Sequence, residues 1–281
     1  RKWRVDMRRA DILHALKSFQ PALCLLGLAR LGTESGDVLL HVLALRLLLF
    51  KRCLLLAQAL GEVLGLVGES GSGKSTVGKL LLRLEEVSSG RVLIDGTDLL
   101  SLAKNELRAF RRRMQMIFQD PYGSLNPRMT VFDTLAEPLL VHKLATQATV
   151  LEKVKALMDD VGLDRRFIRK YPHEFSGGQR QRIAIARAIA LKPRLIIADE
   201  PVSALDVTIR AQILALLLEL TQKHNLTMLF ISHDMSVVRY LCDRVVVMQQ
   251  GKLIEEGETE QLFASPQQEY TRHLLAAIPT L

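Results

Sequence analysis

The stretch VLGLVGESGSGKST, residues 63–76, joins a short apolar run to a glycine-rich segment that ends in Lys-Ser-Thr. The apolar run Val63–Val67 predicts a buried strand, and the residues after the lysine predict a helix. Glycines allow the backbone to wrap so closely that its N–H groups point at phosphate oxygens, and the helix N-terminus favours the same anion. The pattern predicts a phosphate-binding loop formed by Gly68, Glu69, Ser70, Gly71, Ser72, Gly73, Lys74, Ser75 and Thr76.

Within this loop, we expect Lys74 to contact the β- and γ-phosphates of a nucleotide and the Ser75 hydroxyl to bind Mg²⁺. The alternative interpretation is a Gly/Ser turn with an incidental lysine. The strand before the loop and the helix after it disfavour that alternative, because a phosphate loop has this order of elements.

Further apolar runs predict the rest of a sheet, at Leu195–Ala198, Thr227–Ile231 and Val245–Met248. Runs of this length are typical of parallel strands that helices cover on both faces. Residues 90–96 and Met114–Phe118 predict two further strands, and Val207–Leu220 predicts a long apolar helix. The predicted fold class is therefore α/β with a mostly parallel sheet.

Two acidic residues, Asp199 and Glu200, directly follow the apolar run that ends at Ala198. Ligands of α/β sheets bind outside the carboxyl ends of the strands, where the phosphate loop and His233 are also expected. A carboxylate there can bind Mg²⁺, and a second one can act as general base toward water. We therefore expect Asp199 to serve the metal and Glu200, pointing the other way from the strand, to activate water. The alternative is a solvated acidic turn.

A second glycine motif lies in residues 175–190, which read FSGGQRQRIAIARAIA and predict a helix without internal Gly or Pro. Ser176 is expected to cap this helix, and Gly177 and Gly178 to leave N–H groups free at its positive end. An ordinary capped helix explains the serine but not the pair of glycines. The motif therefore predicts a second anion site.

These motifs resemble the ABC ATPase family, whose signature is Leu-Ser-Gly-Gly-Gln, with Phe175 here in place of the leucine. The resemblance covers residues 62–281, and the motifs occur in the family's order. Gln119 matches the family's Q-loop, Asp206 its D-loop and His233 its switch histidine. The resemblance implies a P-loop NTPase core over residues 61–264, with a helical subdomain at about 125–190 that carries the signature.

The resemblance also implies ATP hydrolysis with Mg²⁺ in a head-to-tail pair of such subunits. The expected catalytic residues are Glu200, His233, which would hold the γ-phosphate, and Gln119, which would contact Mg²⁺ or the attacking water and relay to the membrane subunits. Asp206 would communicate across the pair. The expected metal ligands are Ser75, Gln119 and Asp199. The signature residues expected to face ATP on the partner subunit are Ser176, Gly177, Gly178 and Gln179.

The segment after the Q-loop glutamine narrows the resemblance. Residues 119–130, QDPYGSLNPRMT, look like the oligopeptide and dipeptide importer ATPases, and so does the C-terminal extension at 265–281, except that Gln268-Glu269 replaces a common His-Pro. This subgroup implies a peripheral ATPase at the cytoplasmic face of the cell membrane. Its partners are a second ATPase subunit, two integral membrane permease subunits and an extracytoplasmic solute-binding protein. Peptides, glutathione and nickel all remain open as solutes, and the ATPase partner is either identical or a sister subunit.

The net charge of +8 is concentrated at one end of the chain. Residues 1–62 contain ten Lys/Arg and five Asp/Glu, whereas the remaining 219 residues contain 28 and 25. The ATPase domain therefore carries little of the basic excess that nucleic-acid binding requires, and we expect no nucleic-acid partner. A soluble ABC ATPase acting on DNA or ribosomes and a catalytically inactive subunit are the competing interpretations.

Residues 1–60 form an atypical N-terminal arm that does not match the family. The family would place strands and an adenine-stacking aromatic residue here, whereas the arm offers only Trp3, Phe19 and Phe50 without a strand pattern. We interpret the arm as foreign to the fold, from a shifted reading frame or a misplaced start; a divergent helical arm is the alternative. Sequencing of the coding DNA distinguishes them.

Overall fold

The computed structural model describes residues 61–277. The arm at 1–60 and the last residues of the extension, 278–281, lie outside the described part. The strands are β1 (Val63–Val67), β2 (Leu93–Ile94), β3 (Thr97–Asp98), β4 (Met114–Ile117), β5 (Leu195–Asp199), β6 (Thr227–Ser232), β7 (Arg244–Gln249) and β8 (Lys252–Glu258). The helices are α1 (Lys74–Leu81), α2 (Lys104–Phe110), α3 (Pro121–Ser124), α4 (Val131–Val141), α5 (Val150–Asp160), α6 (Gly177–Ile189), α7 (Val207–His224), α8 (Met235–Leu241), α9 (Thr259–Ala264) and α10 (Glu269–Ala276).

Six strands form one sheet in the order β4-β5-β6-β1-β7-β8. Every neighbouring pair is parallel except β7–β8, which is antiparallel. The prediction of an α/β fold with a mostly parallel sheet is confirmed. The strand expected over residues 90–96 is shorter than predicted, because the chain turns at Asp95 and Gly96, both with positive φ, and pairs β2 with β3.

Alternate residues of the central strands enter two separate apolar cores. Val63 and Val67 pack into the core that contains α4, α5, α6 and α7, while Leu64 and Leu66 pack into the core that contains α1 and α2. Every residue of β1 is buried, because helices cover both faces of the sheet. This explains why the strands appear in the sequence as continuous apolar runs.

The carboxyl ends of β4, β5, β6 and β1 lie side by side in the sheet. Gln119 follows β4, Glu200 follows β5, His233 follows β6, and the phosphate loop follows β1. The strand order alone therefore brings these segments together at one edge. Helices α4, α5 and α6 lie within residues 125–190, the range expected for the helical subdomain. Within residues 61–277, no helix has the length and apolar character required to cross a membrane.

Candidate functional site

The phosphate loop rests on the turn between β7 and β8. Gly68 has a φ of 153°, and a Cβ atom there would lie 2.1 Å from the carbonyl oxygen of Met248, so only glycine fits. The N–H of Gly251 donates to the carbonyl of Ser72 over 2.9 Å. Tight backbone contact with this turn therefore fixes the loop's path between β1 and α1.

Lys74 lies at the start of α1 with its ammonium turned back onto the loop. Nζ donates to the carbonyls of Gly68 and Glu69, both over 2.8 Å, and to Ser72 Oγ over 3.4 Å. The residue is only 4% exposed, and this burial lowers the pKa of the ammonium, against the opposing pull of nearby carboxylates. Only neutral oxygens accept hydrogen bonds from the ammonium, so they do not neutralise its charge. An anion that reaches the ammonium would therefore bind strongly.

Ser75 and Asp199, which the sequence predicts as metal ligands, lie in contact although they belong to different elements. Ser75 Oγ donates to Asp199 Oδ1 over 2.8 Å. Burial raises the pKa of Asp199, and the hydrogen bond from Ser75 only partly offsets it. The two side chains supply hard oxygens of the kind that Mg²⁺ prefers, and such an ion usually completes its shell with nucleotide phosphates and water. In the described residues, no group of three or more His, Cys, Asp or Glu side chains could hold a metal on its own.

The carboxylate of Glu200 is held at both oxygens. Gln119 Nε2 donates to Oε2 over 3.0 Å, and His233 Nδ1 lies 3.0 Å from Oε1. The glutamate side chain is 13% exposed, whereas the His233 side chain is 56% exposed. All three expected catalytic residues therefore meet in one hydrogen-bonded group. The carboxylate keeps lone pairs with which it can accept a proton.

The different directions of Asp199 and Glu200 arise from a turn rather than from strand alternation. β5 ends at Asp199, and Glu200 has a φ of 45°, in the left-handed region. Its N–H donates to the carbonyl of Ile231 over 3.0 Å, which ties the turn to β6. β5 extends one residue beyond the predicted run, to Asp199, and the turn at Glu200 rather than strand alternation gives the two acids different partners.

An ion pair that the sequence did not reveal joins the first turn of α7 to the residue that follows His233. Asp206 caps α7 by accepting the N–H of Ile209 over 3.0 Å. One turn later, Arg210 lies 3.2 Å from Asp234, which caps α8 immediately after His233. Position i+4 after Asp206 indicates only that Arg210 lies near the helix start. Its partner is 24 residues away, and no local pattern identifies it.

The signature begins α6 with the expected cap. Ser176 Oγ accepts the N–H of Gln179 over 3.3 Å, and Gln179 Oε1 accepts the N–H of Ser176 over 3.0 Å. A Cβ atom on Gly178 would lie 2.4 Å from Ile209 Cγ2. Close packing of α6 against α7 therefore accounts for the second glycine, which the sequence interpretation had left to anion binding alone.

The signature residues border a cavity beside α7. Ser176, Gly178 and Gln179 line a cavity of about 360 Å³ together with Ile209 and Gln212 of α7, and no residue of the phosphate loop takes part. The assignment of the signature to ATP on a partner subunit stays a prediction.

Two aromatic contacts near the site were also missed. Tyr122, 62% exposed and three residues after Gln119, stacks on the guanidinium of Arg180 in α6, with 3.6 Å between the ring centroid and Cζ. Tyr270 of α10 accepts the N–H of Glu69 over 3.0 Å. Both contacts depend on tertiary packing, although the aromatic residues themselves stand within the subgroup-like segments 119–130 and 265–281.

Comparison with known proteins agrees with the resemblance that the motifs carry. The sequence matches the profile of the family described as ABC transporter over residues 55–203. It is 54% identical over 222 residues to a Brucella ovis protein whose name assigns it ATP binding in peptide import, which covers 79% of this chain and 70% of that protein. It is 54% identical over 221 residues to the oligopeptide transport ATP-binding protein OppF of Bacillus subtilis, covering 78% and 72%.

Solved structures resemble the fold over most of the chain. CbiO1 from Clostridium perfringens, part of the ABC transporter complex cbiONQ, has a TM-score of 0.66 at 28% identity and covers 78% of this chain and 85% of that one. The ATP-binding cassette MJ0796, in a dimeric post-hydrolysis state with ADP and phosphate, has a TM-score of 0.65 at 31% identity and covers 72% and 87%. On motifs, fold and relatives alike, this chain belongs to the ABC transporter family, as one of its ATP-binding, ATP-hydrolysing subunits.

Proposed function

We propose that this chain is the energy-coupling subunit of an importer for oligopeptides or dipeptides. The observation that carries the proposal is the assembled site, in which Glu200 lies between Gln119 and His233 beside the paired Ser75 and Asp199. The choice of solute is supported by the relatives at 54% identity that are named for peptide import and oligopeptide transport.

The reaction is transfer of the γ-phosphoryl group of ATP to water, giving ADP and phosphate. Mg²⁺, for which Ser75 and Asp199 are suited, neutralises charge on the phosphates when bound. Lys74 Nζ exchanges hydrogen bonds to the loop carbonyls for hydrogen bonds to the β- and γ-phosphates. Glu200 accepts a proton from the attacking water, while Gln119 and His233 keep its carboxylate in place and His233 reaches the γ-phosphate. Catalysis by such a site is mainly positioning and charge stabilisation.

A second ATPase subunit completes the proposed enzyme. Its phosphate loop would face Ser176–Gln179 of this chain, and Asp206 would lie at the junction between the subunits. Two permease subunits would receive the movement at the cytoplasmic face of the membrane, and an extracytoplasmic binding protein would deliver the peptide. Tyr122 suits the relay, because it is exposed, follows Gln119 closely and stacks on Arg180 of the signature helix.

The test is replacement of OppF in Bacillus subtilis by this chain, with uptake of a labelled tripeptide as the readout. We expect uptake that competes with unlabelled peptides and not with glutathione or Ni²⁺. The matched control is the Glu200→Gln variant, which should assemble with the permeases and import nothing.

Two outcomes would contradict the proposal in different ways. Mg²⁺-dependent ATP hydrolysis by the purified chain, with uptake of none of the peptides, would reject the peptide-importer assignment. Hydrolysis that duplex DNA or ribosomes stimulate would favour the soluble class of ABC ATPase, and absence of any hydrolysis would favour an inactive subunit.

A further inference from the structure

The C-terminal segment returns to the phosphate loop and contacts it directly. Tyr270, in the first turn of α10, accepts the backbone N–H of Glu69 over 3.0 Å, although 201 residues separate the two in sequence. The tyrosine is half-buried, and its ring packs with Leu274 and Leu275 against the apolar core that contains α4, α5, α6 and α7. Burial raises the pKa of its hydroxyl, so the group is neutral at physiological pH.

The contacted N–H belongs to the peptide unit that also holds the ammonium of Lys74. The carbonyl of Gly68 and the N–H of Glu69 are two ends of one planar peptide group. Lys74 Nζ donates to that carbonyl over 2.8 Å, while Tyr270 accepts from the N–H on the other side. Rotation of this peptide would break both hydrogen bonds at once, so the tyrosine hydroxyl restrains one of the three acceptors that hold the ammonium.

A carboxylate on β8 fixes the start of α10. Glu255 Oε1 accepts the N–H of Gln267 over 2.7 Å, and Oε2 accepts the N–H of Gln268 over 3.0 Å. Arg272 donates from its guanidinium to the carbonyl of Gln267 over 3.1 Å. β8 directly follows Gly251, whose N–H donates to the carbonyl of Ser72, so the strand that holds the start of α10 adjoins the turn that supports the phosphate loop.

We infer that Tyr270 is a positioning residue of the ATP site, which orients the Gly68–Glu69 peptide and through it the ammonium of Lys74. The C-terminal extension is then part of the phosphate site rather than an appendage to it. This inference rests on ATP binding at the phosphate loop and assigns the extension a role within it.

The test is the Tyr270→Phe variant of the full chain, which keeps the ring and its packing and removes only the hydroxyl. Loss of one hydrogen bond of ordinary strength corresponds to about a 2- to 10-fold change. We expect the KM for ATP and the Kd for ADP to rise by about this factor, with kcat changed less than about twofold. Hydrogen exchange of the Glu69 amide in the nucleotide-free protein should accelerate in the variant, and the melting temperature should fall by no more than a few degrees.

Two further variants complete the design. Tyr240→Phe is the matched control, because Tyr240 on α8 is 60% exposed and, among the described residues, makes no hydrogen bond to the phosphate loop, so the change should leave nucleotide affinity unchanged. Glu255→Ala releases the start of α10 and should weaken nucleotide binding in the same direction as Tyr270→Phe. Equal KM, Kd and Glu69 exchange in the wild type and Tyr270→Phe would overturn this inference alone. A wild-type chain that binds no nucleotide would overturn the ATP site itself, and the inference with it.

Discussion

His233 Nδ1 and Glu200 Oε1 lie 3.0 Å apart across the ends of neighbouring strands β6 and β5. The histidine is the more exposed partner, so it can respond to a ligand while the glutamate stays in place. Gln119 holds the other carboxylate oxygen from the end of β4. Contact of His233 with a γ-phosphate would therefore be transmitted through a single hydrogen bond to the carboxylate that we propose as general base.

Glu200→Gln should lower kcat for ATP hydrolysis by about 10²–10⁴, the usual contribution of a general base. The side chain keeps its size, so ATP binding should persist. Phosphate release and retention of labelled ATP are the measurements. Glu219→Gln, the same change at an exposed position on α7, is the control and should leave both unchanged. Hydrolysis by Glu200→Gln within tenfold of the wild type would show that another group accepts the proton.

Gly178→Ala should destabilise the fold, because its methyl group would lie 2.4 Å from Ile209 Cγ2. Overpacking of this kind costs about 1–3 kcal/mol in the free energy of unfolding, measured by urea denaturation. Gly177→Ala is the matched control, since its Cβ would lie 3.6 Å from Leu205 Cδ2, an ordinary contact. The double variant Gly178→Ala/Ile209→Ala should lose less stability than the sum of the losses of its two single variants, because the shortened side chain removes the clash. Equal stability of the two single variants would disprove the packing role.

Asp199→Asn should make the nucleotide-free protein more stable at neutral pH, while abolishing Mg²⁺-dependent hydrolysis. Burial raises the pKa of Asp199 above its ordinary 3.8, so the folded state holds a proton that the unfolded state releases. Wild-type stability therefore falls as the pH rises from 3.8 through the folded pKa, and the advantage of the variant grows over the same window. Urea unfolding at a series of pH values measures the difference.

Asp159→Asn provides the control of opposite sign for this pH series. The hydrogen bond from Arg165 is the main reason that the pKa of Asp159 is lowered, so ionisation of this carboxylate favours the folded state. Its contribution is present above pH 3.8 and is lost as the pH falls through the lowered pKa. The asparagine variant should therefore lose stability at neutral pH relative to acid. Parallel pH trends for the two variants would contradict at least one of the two assignments, and the sign of the shared trend would identify which.

Cys242 should resist alkylation in the folded protein. The thiol is buried, and burial raises its pKa, so the reactive thiolate is scarce. Iodoacetamide treatment at pH 8, followed by mass spectrometry of the peptide that contains Cys242, should show slow labelling without urea and rapid labelling in urea. Rapid labelling of the folded chain would mean that α8 opens at its C-terminal end.

The sequence was most informative where a local motif has a fixed structural meaning. The phosphate loop, the Ser176 cap and the apolar strands were predicted because each depends on neighbours in sequence. The phosphate loop, the Asp199–Glu200 pair and His233 were expected at one edge of the sheet, since parallel strands end on the same side, whereas Gln119 was assigned only by resemblance. That expectation required only the fold class, not the strand order.

The missed features are contacts between segments that are distant in the chain. The contact between Tyr270 and Glu69 joins residues that are 201 apart in sequence, and the contact between Arg210 and Asp234 joins residues that are 24 apart. Composition does not identify the partner in either case. The role of Gly178 was misjudged for the same reason, because the atom that excludes a larger residue belongs to Ile209 on another helix. Strand β8 was not predicted, since charged residues interrupt it.

The position of β1 between β6 and β7 affects how the chain folds during its synthesis. Val63 pairs with Met228 of β6 on one side, and Leu64 pairs with Arg244 of β7 on the other. The first strand of the described region can therefore pair only after two much later strands have been synthesised. During synthesis, an apolar strand with two unpaired edges would remain open until β6 and β7 leave the ribosome. Chains that stop before Thr227 should therefore aggregate rather than fold, and chaperone demand should be highest over that interval of translation.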